Sequence, residues 1–233
     1  VQGMIMRRKV TNVKDSASTG SKALLALTGA LVAIMVSVCS DAEPEQPKVL
    51  SPSQICDGAL GPAGAPALER ISGTDRFTEL DGSNGNGDPN AFSLPLAAKR
   101  LHDDLSDRNQ CQPYKVDSDF PVLTIDFEAR AGHSDPAKVS TDDLSVYPLG
   151  RFAVTHRDGG ATLVYSCPTK GDGEVSTPYI RARLTVTKGQ VEPDSTDKDQ
   201  MAVLTAVSRA MAEELGCATQ AKLPSEVPDA LTG

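Results

Sequence analysis

The sequence predicts an α+β domain: an antiparallel sheet with helices packed on one face, tied by two disulfides and preceded by one N-terminal hydrophobic helix. Three observations predict it. Strand-like segments of period two follow one another with tight-turn signals between them, as an antiparallel sheet requires. Helix-period segments stand before and after that run instead of alternating with it. Four cysteines, Cys56, Cys111, Cys167 and Cys217, lie beyond the hydrophobic segment, an even number suited to an oxidising compartment.

The hydrophobic segment Ala23–Cys39, ALLALTGALVAIMVSVC, holds seventeen residues without a charge. At about 1.5 Å per residue it reaches roughly 25 Å, the short end of a membrane span. Residues 1–22 carry Arg7, Arg8, Lys9, Lys14 and Lys22 against Asp15, while Asp41, Glu43 and Glu45 follow the segment. The positive-inside rule keeps such an N-terminus in the cytoplasm and sends the rest across. The length favours a retained signal anchor, with a single-pass chain and its C-terminal domain extracytoplasmic. Cleavage after Ser40 or Ala42 is the alternative that small residues there permit, giving a secreted product. A third fate is lipidation of Cys39, against which Val38 stands where a lipobox has Gly, Ala or Ser.

Residues 40–51 form a polar linker with Pro44 and Pro47. A short helix is expected over Ser51–Cys56, with Ser51 as N-cap and Pro52 in the first turn. The helical pattern resumes from Pro62 to Ser72 and stops at Gly73, and Arg76–Leu80 alternates as a strand. Asp81–Asn90, DGSNGNGDPN, misses the EF-hand spacing of Gly and Glu and is expected as a mobile loop. Leu94, Ala97, Ala98, Leu101 and Leu105 predict an amphipathic helix over 94–105.

From Phe120 the period changes to two. Leu123, Ile125 and Phe127 share one face of a strand, and Val122, Thr124 and Asp126 the other. Arg157-Asp158-Gly159-Gly160 is a hairpin turn between strands over 151–156 and 161–167. Tyr179–Thr187 sends Arg181, Arg183, Thr185 and Thr187 outward, so the sheet is expected to have one wet face. Thr196 and Asp199 form a capping-box pattern ahead of a stripe of Leu204, Val207, Met211 and Leu215, which Gly216 ends. Residues 218–233, with Pro224 and Pro228, are expected as a disordered tail. The domain thus spans 52–217, and its segments 52–130 and 147–217 share enough outline to leave a duplication open.

Aromatic residues are 4% of the chain and Trp is absent. The core must rest on Val, Leu, Ile and Ala, so covalent ties matter more. Four cysteines allow three connectivities. Their placement favours Cys56–Cys111 and Cys167–Cys217, each closing a loop of about 50 residues whose chain-entropy contribution is roughly 4 kcal/mol.

Function is excluded more readily than assigned. The net charge is −8 overall. From Ser40 onward 18 bases face 30 acids, a net of −12 that repels phosphate backbones and argues against nucleic acid as a partner. No CxxC or His-adjacent cysteine spacing suggests a metal, and no glycine pattern suggests a cofactor. His102, His133 and His156 are the only histidines. A triad of His156, Asp158 and Ser166 is conceivable for a secreted hydrolase, but no GxSxG elbow supports it. The reading that remains is an extracytoplasmic, membrane-tethered binding or sensing module. Its candidate binding residues are Arg181 and Arg183 on the outward sheet face and His156 beside the hairpin turn. An envelope docking protein without a small ligand is the alternative, and an envelope protein or glycan is the partner either role would meet.

The order of basic N-terminus, hydrophobic segment and acidic Pro-rich spacer, followed by Ile55-Cys56-Asp57-Gly58-Ala59-Leu60, carries a resemblance. Ala161–Cys167, ATLVYSC, and Ala210–Cys217, AMAEELGC, carry it further. The chain resembles the signal-anchored, two-disulfide extracytoplasmic proteins of unknown function of streptomycetes and other actinobacteria. More loosely it is similar to mycobacterial secreted lipoproteins and to receptor-kinase extracellular sensor domains. The resemblance implies a fold and an address, not an activity.

Overall fold

Period-two alternation in the second half of the chain becomes an antiparallel sheet, and the last long helical stripe packs on one of its faces with the first packed on it. The computed structural model describes residues 47–135, 143–171, 173 and 176–231, within one compact unit, Pro44–Gly233. The expected membrane helix lies outside the described residues. Among those described, no helix is long and apolar enough to cross a membrane. The elements run α1 (Gly61–Ser72), β1 (Phe77–Thr78), α2 (Leu94–Lys99), a 3-10 turn at Leu105–Asp107, β2 (Tyr114–Lys115), β3 (Leu123–Arg130), β4 (Leu144–Val146), β5 (Phe152–His156), β6 (Ala161–Lys170), β7 (Ser176–Val186), α3 (Asp197–Glu214) and α4 (Ala218–Ala221). The main sheet has the order β3-β7-β6-β5-β4, and β1 pairs with β2 apart from it.

The inner face carries Leu123, Ile125, Leu163, Tyr165, Ile180 and Leu184, all fully buried in the core beneath α3, on which α1 packs. The capping box forms as its spacing predicts: Thr196 Oγ1 accepts the Asp199 N–H, and Asp199 accepts the Thr196 N–H. The helix then buries Met201, Leu204, Val207 and Met211. Gly64 lets α1 approach α3 closely, because a Cβ there would stand 2.8 Å from that of Ala206. Both expected disulfides are present, Cys56–Cys111 and Cys167–Cys217, each with a Cα separation of 5.3 Å.

Several expectations are corrected. Ser51–Cys56 is a run of turns, because Cys56 and Asp57 adopt positive φ, which no helix tolerates. The helix expected over 94–105 stops at Lys99, since the Leu101 carbonyl turns away to accept the Ala129 N–H on the edge of β3. The 81–90 loop is tied down: Asn84 Oδ1 accepts the Asn86 and Asp88 amides, and Arg100 pairs with Asp88. The residues after Cys217 form α4 and then a strap whose Leu223, Val227 and Ala230 pack on the core. The strap ends with the Leu231 N–H donating to Val146 O at 2.7 Å on the far edge of the sheet. Segments 52–130 and 147–217 contribute unlike elements, the first giving only β3 to the main sheet.

The outer face is not uniformly wet either. Val146, Phe152, Val154 and Val164 are buried there as a second apolar cluster, with Leu144 and Tyr179 against it.

Candidate functional site

Strand register sets the chemistry of the outer face row by row. Phe152 on β5 pairs with Val164 on β6, Val164 with Arg181 on β7, and Arg181 with Glu128 on β3. The next row reads Val154, Thr162, Arg183 and Asp126. On the other side, Ser166 pairs with Tyr179 and Tyr179 with Arg130. Each row therefore passes from apolar or neutral residues at β5 and β6 to charged ones toward β3. Side chains on one face of neighbouring strands touch, so this order builds a surface with an apolar half and a charged half.

A groove of about 650 Å³ lies along that boundary. Phe152, Val164 and Thr162 line it from β5 and β6, Thr177 and Arg181 from β7, and Arg130 and His133 from the end of β3 and beyond. The His133 ring meets Tyr179 edge to face at 4.9 Å between centroids, which fixes an aromatic wall beside the strands. That size is in the range that holds a small organic molecule.

The charged half is a ladder with more cations than anions. Arg181 pairs with Glu128, and Arg130 Nη1 reaches the same carboxylate at 3.1 Å. Arg108 Nη1 donates to Asp126 at 2.8 Å and stands 3.9 Å from Glu128. Arg183 faces Asp126 in the register. Four guanidiniums thus surround two carboxylates, in a chain that is acidic as a whole. Burial lowers the Arg181 pKa against the pull of Glu128, with repulsion from Arg183 and Arg130 adding to the fall. Burial also works to raise Glu128, yet the Arg130 hydrogen bond and the charges of Arg181 and Arg108 outweigh it and hold the group below its ordinary value. Asp126 goes the other way: its burial outweighs Arg108 and Arg183 and lifts it.

Of the three candidate residues, Arg181 lines the groove and Arg183 lies in the adjoining row over Asp126. His156 does neither. It closes β5 at the opposite end from Phe152, four residues and so about 13 Å along the strand. The conceivable triad does not assemble: Ser166 Oγ accepts from Arg151 Nε at 2.9 Å, and Ser166 sits beyond the Phe152 end of the sheet. Sequence alternation alone could mark Glu128 and Arg130 as outward, in step with Asp126. It could not say that they lie beside Arg181, because register depends on the partner strand. His133 and Arg108 come from connections and leave no periodic signal.

Other concavities offer less. A hollow of about 320 Å³ by His102 places its Nε2 3.1 Å from Thr169 Oγ1, itself 2.9 Å from Thr177 Oγ1. No carboxylate hydrogen-bonds that His102 ring among the described residues. A groove of about 480 Å³ between α1, α3 and the strap is lined by Arg70 and Lys198, which already pair with Asp199 and Asp229. Cys56, Glu79 and Cys111 bring ligand-type atoms within 4.8 Å of one another. Both sulfurs are committed to the disulfide, and Glu79 Oε1 accepts the Cys56 N–H at 2.8 Å.

Comparison with known proteins returns no matching family model, no matching curated protein and no matching solved structure.

Proposed function

We propose that the chain is an extracytoplasmic binding module, tethered to the membrane by its N-terminal segment, and that the outer-face groove holds its ligand. The observation that carries this reading is the groove itself. It is concave and of ligand size, with Phe152 and Val164 in its lining and two guanidiniums at its margin. A sheet face used only for solubility has no need of Phe152 and Val164 beside Arg181. The hydrophobic segment, acidic spacer and even cysteine count support the extracytoplasmic address.

The test is a thermal-shift screen of the full chain against small anions, neutral molecules, cations, envelope glycans and short peptides. A ligand at one hundred times its Kd stabilises by about 2.7 kcal/mol, or roughly 5–10 °C for a domain of this size. At least one class is expected to give such a shift, and Thr162→Trp, which fills the groove, to abolish it. No shift with any class, or an equal shift in the filled variant, would overturn the reading and favour a docking role without small ligand.

A further inference from the structure

Resting on that reading of the groove, we infer that its ligand is a carboxylate carried on an apolar body. The argument begins with charge. Arg130 and Arg181 line the groove, and both engage Glu128. Arg108 is engaged with Asp126, which Arg183 also faces. Among the described residues four guanidiniums thus face two carboxylates, and the groove margin is cationic. An anionic group answers that excess, whereas an amine would add to it.

Geometry points to the same group. Arg181 bonds Glu128 through Nη2, and Arg130 does so through Nη1, so among the described residues each guanidinium engages Glu128 with one nitrogen. A guanidinium has five N–H donors in a planar fork that matches a carboxylate. Glu128 shows that a carboxylate already fits between these two arginines, and the donors left on each suit a second carboxylate alongside it. Away from the charges the lining includes Ala129, Phe152 and Val164 together with Thr162 and Thr177, and the His133–Tyr179 pair stands beside them. An ion with no apolar part would leave that surface wet, and a neutral apolar molecule would leave the charge excess unanswered. The strongly acidic remainder of the domain disfavours long polyanions.

The experiment compares phenylacetate, phenylacetamide and phenethylamine, which share a ring and differ in charge, by titration calorimetry on the full chain. Phenylacetate is expected to bind at least tenfold more tightly than the amide, with the amine weaker still and inorganic phosphate weaker than phenylacetate. Arg181→Gln should lower phenylacetate to the affinity of the amide while leaving the amide within about twofold, and Arg130→Gln should act in the same direction. The inference fails if the amide equals phenylacetate, if phenylacetate does not bind, or if the anion preference survives both arginine variants. Equal binding of all three compounds that Thr162→Trp abolishes would overturn the anion class and leave the groove standing. Binding that Thr162→Trp does not touch would overturn the groove as well. A tripeptide ending in phenylalanine, as free acid and as amide, separates the sources of this chemistry: a free-acid peptide tighter than phenylacetate assigns a peptide terminus, and a weaker one assigns a small free acid.

Discussion

Asp199 accepts hydrogen bonds from the Thr196 N–H and hydroxyl at 3.0 and 2.7 Å and from Arg70 Nε at 2.7 Å. Its burial works to raise its pKa, but those donors outweigh it and hold the carboxyl below its ordinary value of 3.8. A depressed acid stabilises the fold above its unfolded pKa and loses that contribution as pH falls through the folded one. Arg70 is more than half exposed, so the cap rather than the ion pair supplies most of the effect. Asp199→Asn is therefore expected to cost about 1–2 kcal/mol at neutral pH. The gap between variant and parent in urea unfolding should close as pH drops from about 4 toward 2. A gap that stays constant over that range would show that the charge of Asp199 is irrelevant. This residue was legible in the sequence because a capping box is a local pattern, four residues long. Arg181 was legible only in part. Alternation sends it outward, but its partner Glu128, which Arg130 shares, comes from a strand more than fifty positions earlier.

Elements follow the same division between local and distant causes. The 151–167 hairpin and α3 were readable because a Gly-Gly turn and a helical stripe are written within a few residues. The truncation of α2 was not, since the competing hydrogen bond comes from Ala129. Nor was β4, whose three residues are too few to show a period. The C-terminal strap carries two prolines that suggest disorder, while Leu223, Val227 and Ala230 find their core only after the sheet exists. The strap also answers a problem of sheet edges. At one edge Cys111 exchanges both backbone hydrogen bonds with Ile125 of β3, and at the other the strap bonds β4. Uncovered edges invite pairing between molecules. Removing residues 223–233 is expected to destabilise the fold by about 2–3 kcal/mol, from apolar burial alone. It should also promote self-association, visible in sedimentation velocity. A truncated chain that melts at the parent temperature and stays monomeric would show that the strap only decorates the surface.

At the scale of the molecule, two disulfides compensate for a core poor in rings, and the covalent frame suits the extracytoplasmic address we propose. The full chain is expected to remain with membranes through an alkaline carbonate wash. A mature product in the medium beginning at Asp41 or Glu43 would instead show cleavage. Fold class and disulfide pairing were legible because they depend on periodicity and cysteine placement. The groove was not, because it exists only when four strands are aligned in one register. Its cationic margin also stands against the charge of the whole, so net charge hid it.

That groove is where the account can be tested most directly, by amide chemical-shift mapping of the isotope-labelled full chain during titration with phenylacetate. The account predicts that the largest shifts fall on Phe152, Thr162, Val164 and Arg181, with smaller ones on Arg130 and Tyr179. Shifts centred instead on His102 and Thr169, or on Arg70 and Lys198 between the helices, would contradict it, as would a spectrum that phenylacetate leaves unchanged.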